Sequence, residues 1–319
     1  MEPDILVAGE CLVDFIPDRP GPLGEVEQFD RRAGGAPANV AVRLAALGPA
    51  PLLWTRLGAG PFGSYLAETL DAHGIPEEFV VRDEDAKTTL AFVAHDEDAD
   101  RVFTFYRNNT ADTRFAPGRI PDGMLSDLSW VAFGGVCLAT EPARSAMLDL
   151  ASRASEHDCE VIFDPNARPE LWDGGFPEAF AEACARSTVV KATPEDLAAA
   201  GISGTPEELL DAILELGPTT AALTLGDEGA VATAADDAPW GPTTAEHGGF
   251  SVDAVDATGA GDAFLAGLVR ALADDRALGR ALAFANATAA VATTSEGAMS
   301  APIDRDRVEA LVDGDDEGA

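Results

Sequence analysis

The chain has 319 residues, 46% of them hydrophobic, which is enough for one large domain or two ordinary ones. Its formal net charge is −35, and the acidic residues are spread along the whole sequence. This charge would repel nucleic acid and anionic membranes, so we expect neither as a partner. The chain has no apolar run long enough to span a membrane, and its four cysteines lack metal or redox spacing, so we expect a cytoplasmic protein.

Short apolar runs rich in β-branched residues alternate with helical patterns through most of the chain. The predicted strands are 5–8, 52–55, 130–133, 160–163, 188–190 and 221–224, and the predicted helices between them are 36–47, 64–73, 143–157, 177–185, 194–200 and 206–216. Apolar strands that alternate with helices are typical of a parallel sheet covered on both faces. We therefore predict an α/β fold with a central, mostly parallel sheet flanked by helices.

Two segments, at about 11–32 and 88–107, break this alternation. Both place apolar residues at alternate positions around a turn, and the turn of the second segment is the acidic run 96–100. This pattern is typical of antiparallel strands with one exposed face. We predict a small β-sheet lid that stands off the main sheet.

The C-terminal part of the chain is predicted to be helical. Two or three helices are expected at about 262–273, 276–294 and 304–312. We find no internal repeat and no low-complexity linker, so residues 1–312 are predicted to form a single domain with the lid segments inserted. The acidic residues 313–319 are expected to fray.

A glycine turn at 256–262, with the sequence Asp-Ala-Thr-Gly-Ala-Gly-Asp, opens the first of these helices. Its free amide N–H groups and the helix dipole can hold a phosphate or a developing anion. Asp262 lies in the first helical turn, and a carboxylate beside an anion hole can assist transfer of a phosphoryl group to a hydroxyl. The alternative is an ordinary helix start, capped by Asp256 or Thr258.

A second glycine turn, formed by Gly34 and Gly35, leads into the predicted helix at 36–47. Asn39 lies in this helix among alanine and valine residues, where a buried amide needs a partner such as a polyol hydroxyl. With Asp14 upstream, Asn39 indicates a sugar site. Simple helix initiation is the alternative interpretation.

Polar residues follow three predicted strands, at the sheet edge where open α/β sheets bind ligands. The strand at 160–163 is followed by Asp164, Asn166 and Arg168. The strand at 188–190 is followed by Lys191 and Thr193, and the strand at 221–224 ends at Thr224 and is followed by Gly226 and Gly229. Lys191 is one of only two lysines and can bind a phosphate as a point charge. Glu195 and Asp196 can hold Mg²⁺ directly or through water, although acids in a first helical turn also stabilise the helix.

The run 58–63 matches the GxGxxG pattern of dinucleotide-binding proteins, with acids about twenty residues further on. A nicotinamide-dependent oxidoreductase is therefore an alternative of another class. It is disfavoured because Pro61 lacks the backbone N–H that would bind a pyrophosphate, and because the motif follows the second strand. A third alternative is a catalytically silent sugar or nucleotide sensor, against which Asp262 argues.

These motifs resemble those of the PfkB/ribokinase family of sugar kinases, from Gly9 to about Ile303. The run 256–262 is similar to the family's C-terminal signature, and 34–41 is similar to its N-terminal one. The resemblance implies a ribokinase-like fold whose lid closes on the sugar and often builds a dimer interface. It therefore allows a homodimer through the lid.

The resemblance also implies roles for individual residues. Asp262 would be the catalytic base, and the amides of Gly259, Ala260 and Gly261 would form the anion hole. The sugar would be bound by Asp14, Gly34, Gly35, Asn39, Arg107, Asn166 and Arg168. ATP would be bound by Lys191, Thr193, Thr224, Gly226, Gly229 and Asn286. Mg²⁺ would be held through water by Asp196 and Glu195, and a monovalent cation such as K⁺ would lie near Asp256 and Thr258.

The implied activity is ATP-dependent phosphorylation of a primary hydroxyl on a hexose-type sugar. Segments 9–14, 105–112 and 164–172 are similar to the fructokinase branch, so fructose is the first expectation. The 2-keto-3-deoxygluconate kinases share most of these residues and remain the alternative, in which Arg107 would bind the substrate carboxylate. The chain departs from the family at Thr193 and Asp196, where Asn-x-x-Glu is common.

The balance of charged residues predicts adaptation to concentrated salt. The chain has 56 acidic residues against 21 basic ones. Their mutual repulsion destabilises the fold in dilute buffer, and molar salt, with a Debye length of roughly 3 Å, screens it. We expect the melting temperature to rise between low and molar KCl in a thermal scan. An unchanged melting temperature would indicate an ordinary acidic protein.

Overall fold

Two β-sheets of unequal size define the architecture of the protein. A computed structural model describes residues 3–19, 21–95, 101–299 and 302–316. The predicted turn at 96–100 lies outside these residues. The thirteen strands are β1 (Ile5–Ala8), β2 (Leu12–Pro17), β3 (Phe29–Gly34), β4 (Leu52–Gly58), β5 (Val80–Asp83), β6 (Leu90–His95), β7 (Arg101–Tyr106), β8 (Trp130–Gly134), β9 (Glu160–Asp164), β10 (Val189–Ala192), β11 (Thr220–Thr224), β12 (Ala230–Ala234) and β13 (Thr243–His247).

The larger sheet has nine strands in the order β13-β12-β11-β10-β9-β8-β1-β4-β5. Every neighbouring pair from β11 to β5 is parallel, whereas β12 and β13 are antiparallel additions at one edge. The prediction of a mostly parallel sheet is therefore confirmed. Strands β5, β12 and β13 were not predicted. The alanine and threonine residues of β12 and β13 carry little apolar signal.

Helices cover both faces of this sheet. They are α1 (Ala36–Leu47), α2 (Pro61–Ala72), α3 (Asp122–Leu125), α4 (Ala143–Glu156), α5 (Phe176–Cys184), α6 (Pro194–Ala199), α7 (Pro206–Leu214), α8 (Ala260–Ala273), α9 (Leu278–Thr293) and α10 (Arg305–Asp316). Within the described part of the chain, no helix is both long enough and apolar enough to cross a membrane. Helix α10 extends past the predicted end at 312, so residues 313–316 of the expected frayed tail are helical, and 317–319 lie outside the described residues.

Successive residues of the central strands point to opposite faces of the large sheet, and each face has its own hydrophobic core. In β1, Ile5 and Val7 belong to the core formed with α1, α8 and α9. Leu6 and Ala8 belong to the core formed with α4, α5 and α7. Because successive strand residues point to opposite faces, a strand that is apolar throughout can anchor both helical layers.

The smaller sheet has four strands in the order β3-β2-β6-β7, and it forms the predicted lid. Strand β2 pairs antiparallel with β3, and β6 pairs antiparallel with β7. The central pair, β2 with β6, consists of the first strand of each hairpin and is parallel. Phe92 fixes the packing of this sheet, since its ring stacks on Phe15 at 4.8 Å and meets Phe29 and Tyr106 edge-on at 5.4 Å.

Helices α8 and α9 approach closely at Gly267. A methyl group there would lie 2.9 Å from the Cα atom of Ala285 and 2.7 Å from Oγ1 of Thr288. We therefore expect Gly267→Ala to lower the free energy of unfolding by about 1–3 kcal/mol, although alanine is the better helix former. Urea denaturation measures this change.

Gly279→Ala, in the first turn of α9, is the matched control for this substitution. Gly279 is exposed, and a methyl group there would lie 3.8 Å from the Cβ atom of Ala245, which is an ordinary contact. We expect this variant to gain up to about 1 kcal/mol. Equal effects of the two substitutions would contradict the close packing of α8 on α9.

Candidate active site

Two cavities meet at the turn that opens α8. The first has a volume of about 380 Å³, and its lining includes Gly259 and Asp262. The second has a volume of about 550 Å³, and its lining includes Ala260 and Gly261. Four consecutive residues thus form a wall shared by both cavities, so this turn can contact two ligands at once.

The shape of the turn depends on Gly259. This residue adopts a left-handed conformation (φ 77°) at the N-terminus of α8, and a Cβ atom there would lie 2.7 Å from Cβ of Ala298. The amide of Ala260 donates to the Ala257 carbonyl at 3.1 Å. Of the three amides predicted to form an anion hole, those of Gly259 and Gly261 therefore remain without a backbone partner within the described residues.

Asp262 projects from the first turn of α8 and is held by α1. Its Oδ2 atom accepts a hydrogen bond of 2.7 Å from Nδ2 of Asn39. Burial raises the pKa of Asp262 to about 6, while the bond from Asn39 and the positive charge of Lys191 act in the opposite direction. At neutral pH the carboxylate is therefore mostly ionised, held in place by Asn39, and able to accept a proton.

Other residues of the first cavity come from β2, from α1 and its N-cap, and from the segments that follow β1 and β9. They include Glu10, Asp14, Gly35, Asn39, Asn166 and Arg168. Burial raises the pKa of both Glu10 and Asp14 to about 7. Gly34 packs directly behind Asp14, where a Cβ atom would lie 1.9 Å from Oδ2 of the carboxylate. The cavity thus carries three carboxyl groups against one guanidinium group.

The lid contributes an apolar wall to this cavity. Phe103 and Phe105 of β7 line it, and the guanidinium carbon of Arg168 lies 5.1 Å from the centre of the Phe103 ring. Neither phenylalanine was predicted as a site residue. The strand alternation that places both residues on one face of β7 is the signal that could have found them.

Arg107, predicted to bind the substrate, is not among the residues that line the cavity. Its Nε atom donates to Oδ2 of Asp112 at 2.6 Å, and both side chains are buried. The sequence could not indicate this outcome, because the pairing depends on how the segment after β7 folds back under the lid.

Most of the residues predicted to bind a nucleotide line the second cavity. Thr193, Thr224, Gly226, Gly229 and Asn286 all do so, and Glu195, which was predicted to hold Mg²⁺, lines the same cavity. Gly229 is required by the backbone, because it has a positive φ (85°) and a Cβ atom there would lie 2.0 Å from the His247 carbonyl oxygen. The second cavity therefore brings together predicted residues from three separate segments of the chain.

Lys191 lies behind the α8 turn, outside the lining of the second cavity. Its Nζ atom donates to Oδ2 of Asp164 at 3.0 Å, and a Cβ atom at Gly261 would lie 3.4 Å from Nζ. The attraction of Asp164 and Asp196 outweighs burial, so the pKa of Lys191 is raised. This buried ammonium group therefore adds positive charge beside the free amide of Gly261.

Asp196 is engaged in holding the start of α6. Its Oδ2 accepts from the amide of Thr193 at 2.9 Å, and its Oδ1 accepts from the amide of Ala167 at 2.7 Å. The Thr193 hydroxyl accepts from the amide of Asp196 in return, which completes a capping box. Glu195 and Glu228 are the acids that line the second cavity, and the described residues contain no group of three or more metal-ligating side chains.

Asp256 and Thr258, predicted near a monovalent cation, stabilise the loop before α8. The carboxylate of Asp256 accepts from the amide and the hydroxyl of Thr258 at 2.9 and 2.6 Å. Its other oxygen accepts from the amide of Gly297 at 3.0 Å. These bonds join the loop to the segment after α9.

The dinucleotide-like motif at 58–63 forms the turn between β4 and α2. Phe62 is partly buried there, and its ring lies edge-on to Phe15 at 5.8 Å. The side chain therefore packs against the lid, and the turn has a structural role.

Comparison with known proteins identifies the family of the chain. The chain belongs to the pfkB family of carbohydrate kinases, whose profile matches residues 2–305. It is an ATP-dependent sugar kinase of that family. It is 35% identical to Fructokinase-1 of Oryza sativa subsp. japonica, over 91% of this chain and 92% of the relative.

Two solved structures extend the comparison. The fructokinase of Xylella fastidiosa with bound ATP has a TM-score of 0.86 and 27% identity, with 98% of each chain covered. A double mutant of Vibrio cholerae fructokinase, in a form with fructose, ADP and potassium ion bound, has a TM-score of 0.81 and 29% identity, with 97% of each chain covered. The family excludes the nicotinamide-dependent alternative.

Proposed function

We propose that this kinase transfers the γ-phosphoryl group of ATP to a primary hydroxyl of fructose. The observation that carries the proposal is the shared wall of the two cavities, with Asp262 on one side and the amide of Gly261 on the other. The sugar would occupy the first cavity and ATP the second. The fructose and ADP named for the Vibrio cholerae relative support an active site with room for both substrates.

The chemistry proposed for the site needs a base and a place for negative charge. ATP supplies the phosphoryl group, and Asp262, oriented by Asn39, accepts the proton of the attacking hydroxyl. The amides of Gly259 and Gly261, with Lys191 behind them, stabilise charge on the transferring oxygens. Phe103 and Phe105 exclude water from the sugar side, which limits hydrolysis of ATP.

The charge of the first cavity favours a neutral sugar over 2-keto-3-deoxygluconate. Glu10, Asp14 and Asp262 line it, and Arg168 is the cation among its lining residues. Arg107 pairs with Asp112 and does not line the cavity. A carboxylate on the substrate would therefore add negative charge to a site that is already acidic.

A substrate panel tests this proposal. We expect ADP release, measured by a coupled assay, to give the highest kcat/KM with fructose among fructose, 2-keto-3-deoxygluconate, ribose and adenosine. A higher value with 2-keto-3-deoxygluconate would replace fructose with that acid as the substrate.

Cations would enter the site with the nucleotide. We propose that Glu195 holds Mg²⁺ through water, because Mg²⁺ usually keeps several waters and binds few carboxylates together with substrate phosphates. Asp196 would act indirectly, by fixing the helix that carries Glu195. The potassium ion of the Vibrio cholerae relative supports a K⁺ site near Asp256 and Thr258.

A homodimer through the lid stays a prediction. Val102 and Tyr106, which are 37% and 59% exposed, are two of the three exposed large hydrophobic residues in the described part of the chain. Both lie on β7, at the edge of the lid sheet. An exposed apolar edge strand favours association with another chain.

The role of Asp262 predicts the behaviour of Asp262→Asn. We expect fructose binding to be largely retained and kcat to fall by roughly 10²-fold or more, because the amide cannot accept the proton. Asp275→Asn is the matched control, since Asp275 is exposed after the same helix and has a positive φ (59°) that asparagine tolerates. A near-normal kcat for Asp262→Asn would remove Asp262 from the mechanism.

The pKa of Asp262 also predicts a pH dependence. Burial raises this pKa to about 6, and the base must be ionised, so kcat at saturating fructose should fall as pH decreases through about 6. In Asn39→Ala the bond that lowers this pKa is lost, so the fall should begin at a higher pH. Identical pH profiles of kcat for the two proteins would show that Asn39 does not influence the base.

A further inference from the structure

Glu10 lies in the wall of the first cavity and has no role in the chemistry described above. It follows β1 and precedes β2, so it connects the large sheet to the lid. Its side chain is only 2% exposed, yet it contributes to the cavity lining. A carboxyl group buried beside a polar ligand site needs partners, because burial of an unpaired charge is unfavourable.

The protein gives Glu10 few partners of its own. The amide of Ala36 donates to Oε1 at a long 3.3 Å, and the thiol of Cys137 lies 3.7 Å from Oε2. Both are weak interactions for a carboxylate, which can accept up to four hydrogen bonds. The carboxyl group therefore retains acceptor capacity next to the cavity.

Behind Glu10 lies a buried polar group that we term the lid-root cluster: Thr89, Arg107, Thr110 and Asp112. Thr89 directly precedes β6, and Arg107 directly follows β7. The carboxylate of Asp112 accepts from the hydroxyls of Thr89 and Thr110 and from Nε of Arg107. Asp112 thus holds the roots of both strands of the second lid hairpin.

The lid-root cluster is incompletely satisfied. Nη2 of Arg107 is buried and has no hydrogen-bond partner among the described residues. The positive charge of Arg107 acts on Glu10, where it lowers a pKa that burial raises. Arg107 therefore has a free donor and an electrostatic link to Glu10, a buried acid that lines the cavity.

We propose that Glu10 contacts the sugar and links occupancy of the first cavity to the lid root. Its carboxylate accepts a hydrogen bond from a sugar hydroxyl, and its charge holds Arg107, a positioning residue, at the base of β7. The inference rests on the proposed function, since it requires a polyol in the first cavity.

Exclusion of water by the sugar would strengthen the interaction between Glu10 and Arg107. When a sugar fills the cavity and water leaves the space beside Glu10, the hydrogen bond donated by the sugar favours the ionised carboxylate, which then attracts Arg107 in a lower dielectric. Arg107 then fixes the end of β7, the strand that carries Phe103 and Phe105. The lid is thereby held over the sugar once Glu10 is engaged.

The test is Glu10→Gln, which keeps the shape of the side chain but removes its charge. We expect KM for fructose to rise roughly 10-fold, because a hydrogen bond to a charged group becomes a weaker bond to a neutral amide, while KM for ATP stays within about twofold. Hydrogen exchange should show that fructose protects β6 and β7 less in the variant than in the wild type. Glu27→Gln, an exposed acid between β2 and β3, is the matched control and should behave as wild type.

Arg107→Lys separates the link between Glu10 and Arg107 from the contact between Glu10 and the sugar. It keeps the positive charge but loses the planar group, so we expect protection of β7 by fructose to weaken while KM for fructose rises less than in Glu10→Gln. A wild-type KM and wild-type lid protection in Glu10→Gln would overturn the inference. A wild-type enzyme inactive on fructose would instead overturn the proposed substrate, and the same variants would then be tested with the sugar that the panel selects.

Discussion

The hydrogen bond between Asn39 and Asp262 is the contact on which the rest of the site depends. It joins residues 223 positions apart and links the first turns of α1 and α8. Because both helices are buried in the same core, the two side chains meet only when that core is formed. The proposed base is therefore positioned by tertiary packing and not by its own helix, whose start has no side-chain cap.

The buried carboxyl groups of the site destabilise the folded protein. Glu10, Asp14 and Asp262 all have a pKa raised by burial, so their ionised forms are disfavoured in the folded state. Such groups lower the free energy of unfolding as pH rises above their usual pKa values, because the unfolded chain releases their protons more readily. The two cores of the large sheet offset this effect, and a bound ligand that donates hydrogen bonds would reduce it.

Much of the fold and of the site follows from the sequence, because local patterns determine both. The apolar runs predicted the central strands, and α1 begins and ends where its periodicity predicts. The glycines at 259 and 229 lie in turns that only glycine tolerates, and these turns form parts of the two cavities.

The remaining features depend on contacts between distant segments. Arg107 was expected in the cavity, but Asp112 holds it beneath the lid, and no local pattern distinguishes these outcomes. Asp196 was expected to bind metal through water, but both of its oxygens accept from backbone amides, one of them in the loop after β9. Strands β12 and β13 are rich in alanine and threonine, which carry little apolar signal, and were missed for that reason.

The shared wall of the two cavities has a consequence for inhibitor design. The four residues from Gly259 to Asp262 span at most about 11 Å, since consecutive Cα atoms are about 3.8 Å apart. A single compound that joins a polyol to a nucleotide through a short tether would reach both cavities across this turn. Its second half would bind at a high effective concentration once the first was in place, which raises affinity without any new contact. Selectivity over enzymes that bind only ATP would follow from the polyol end.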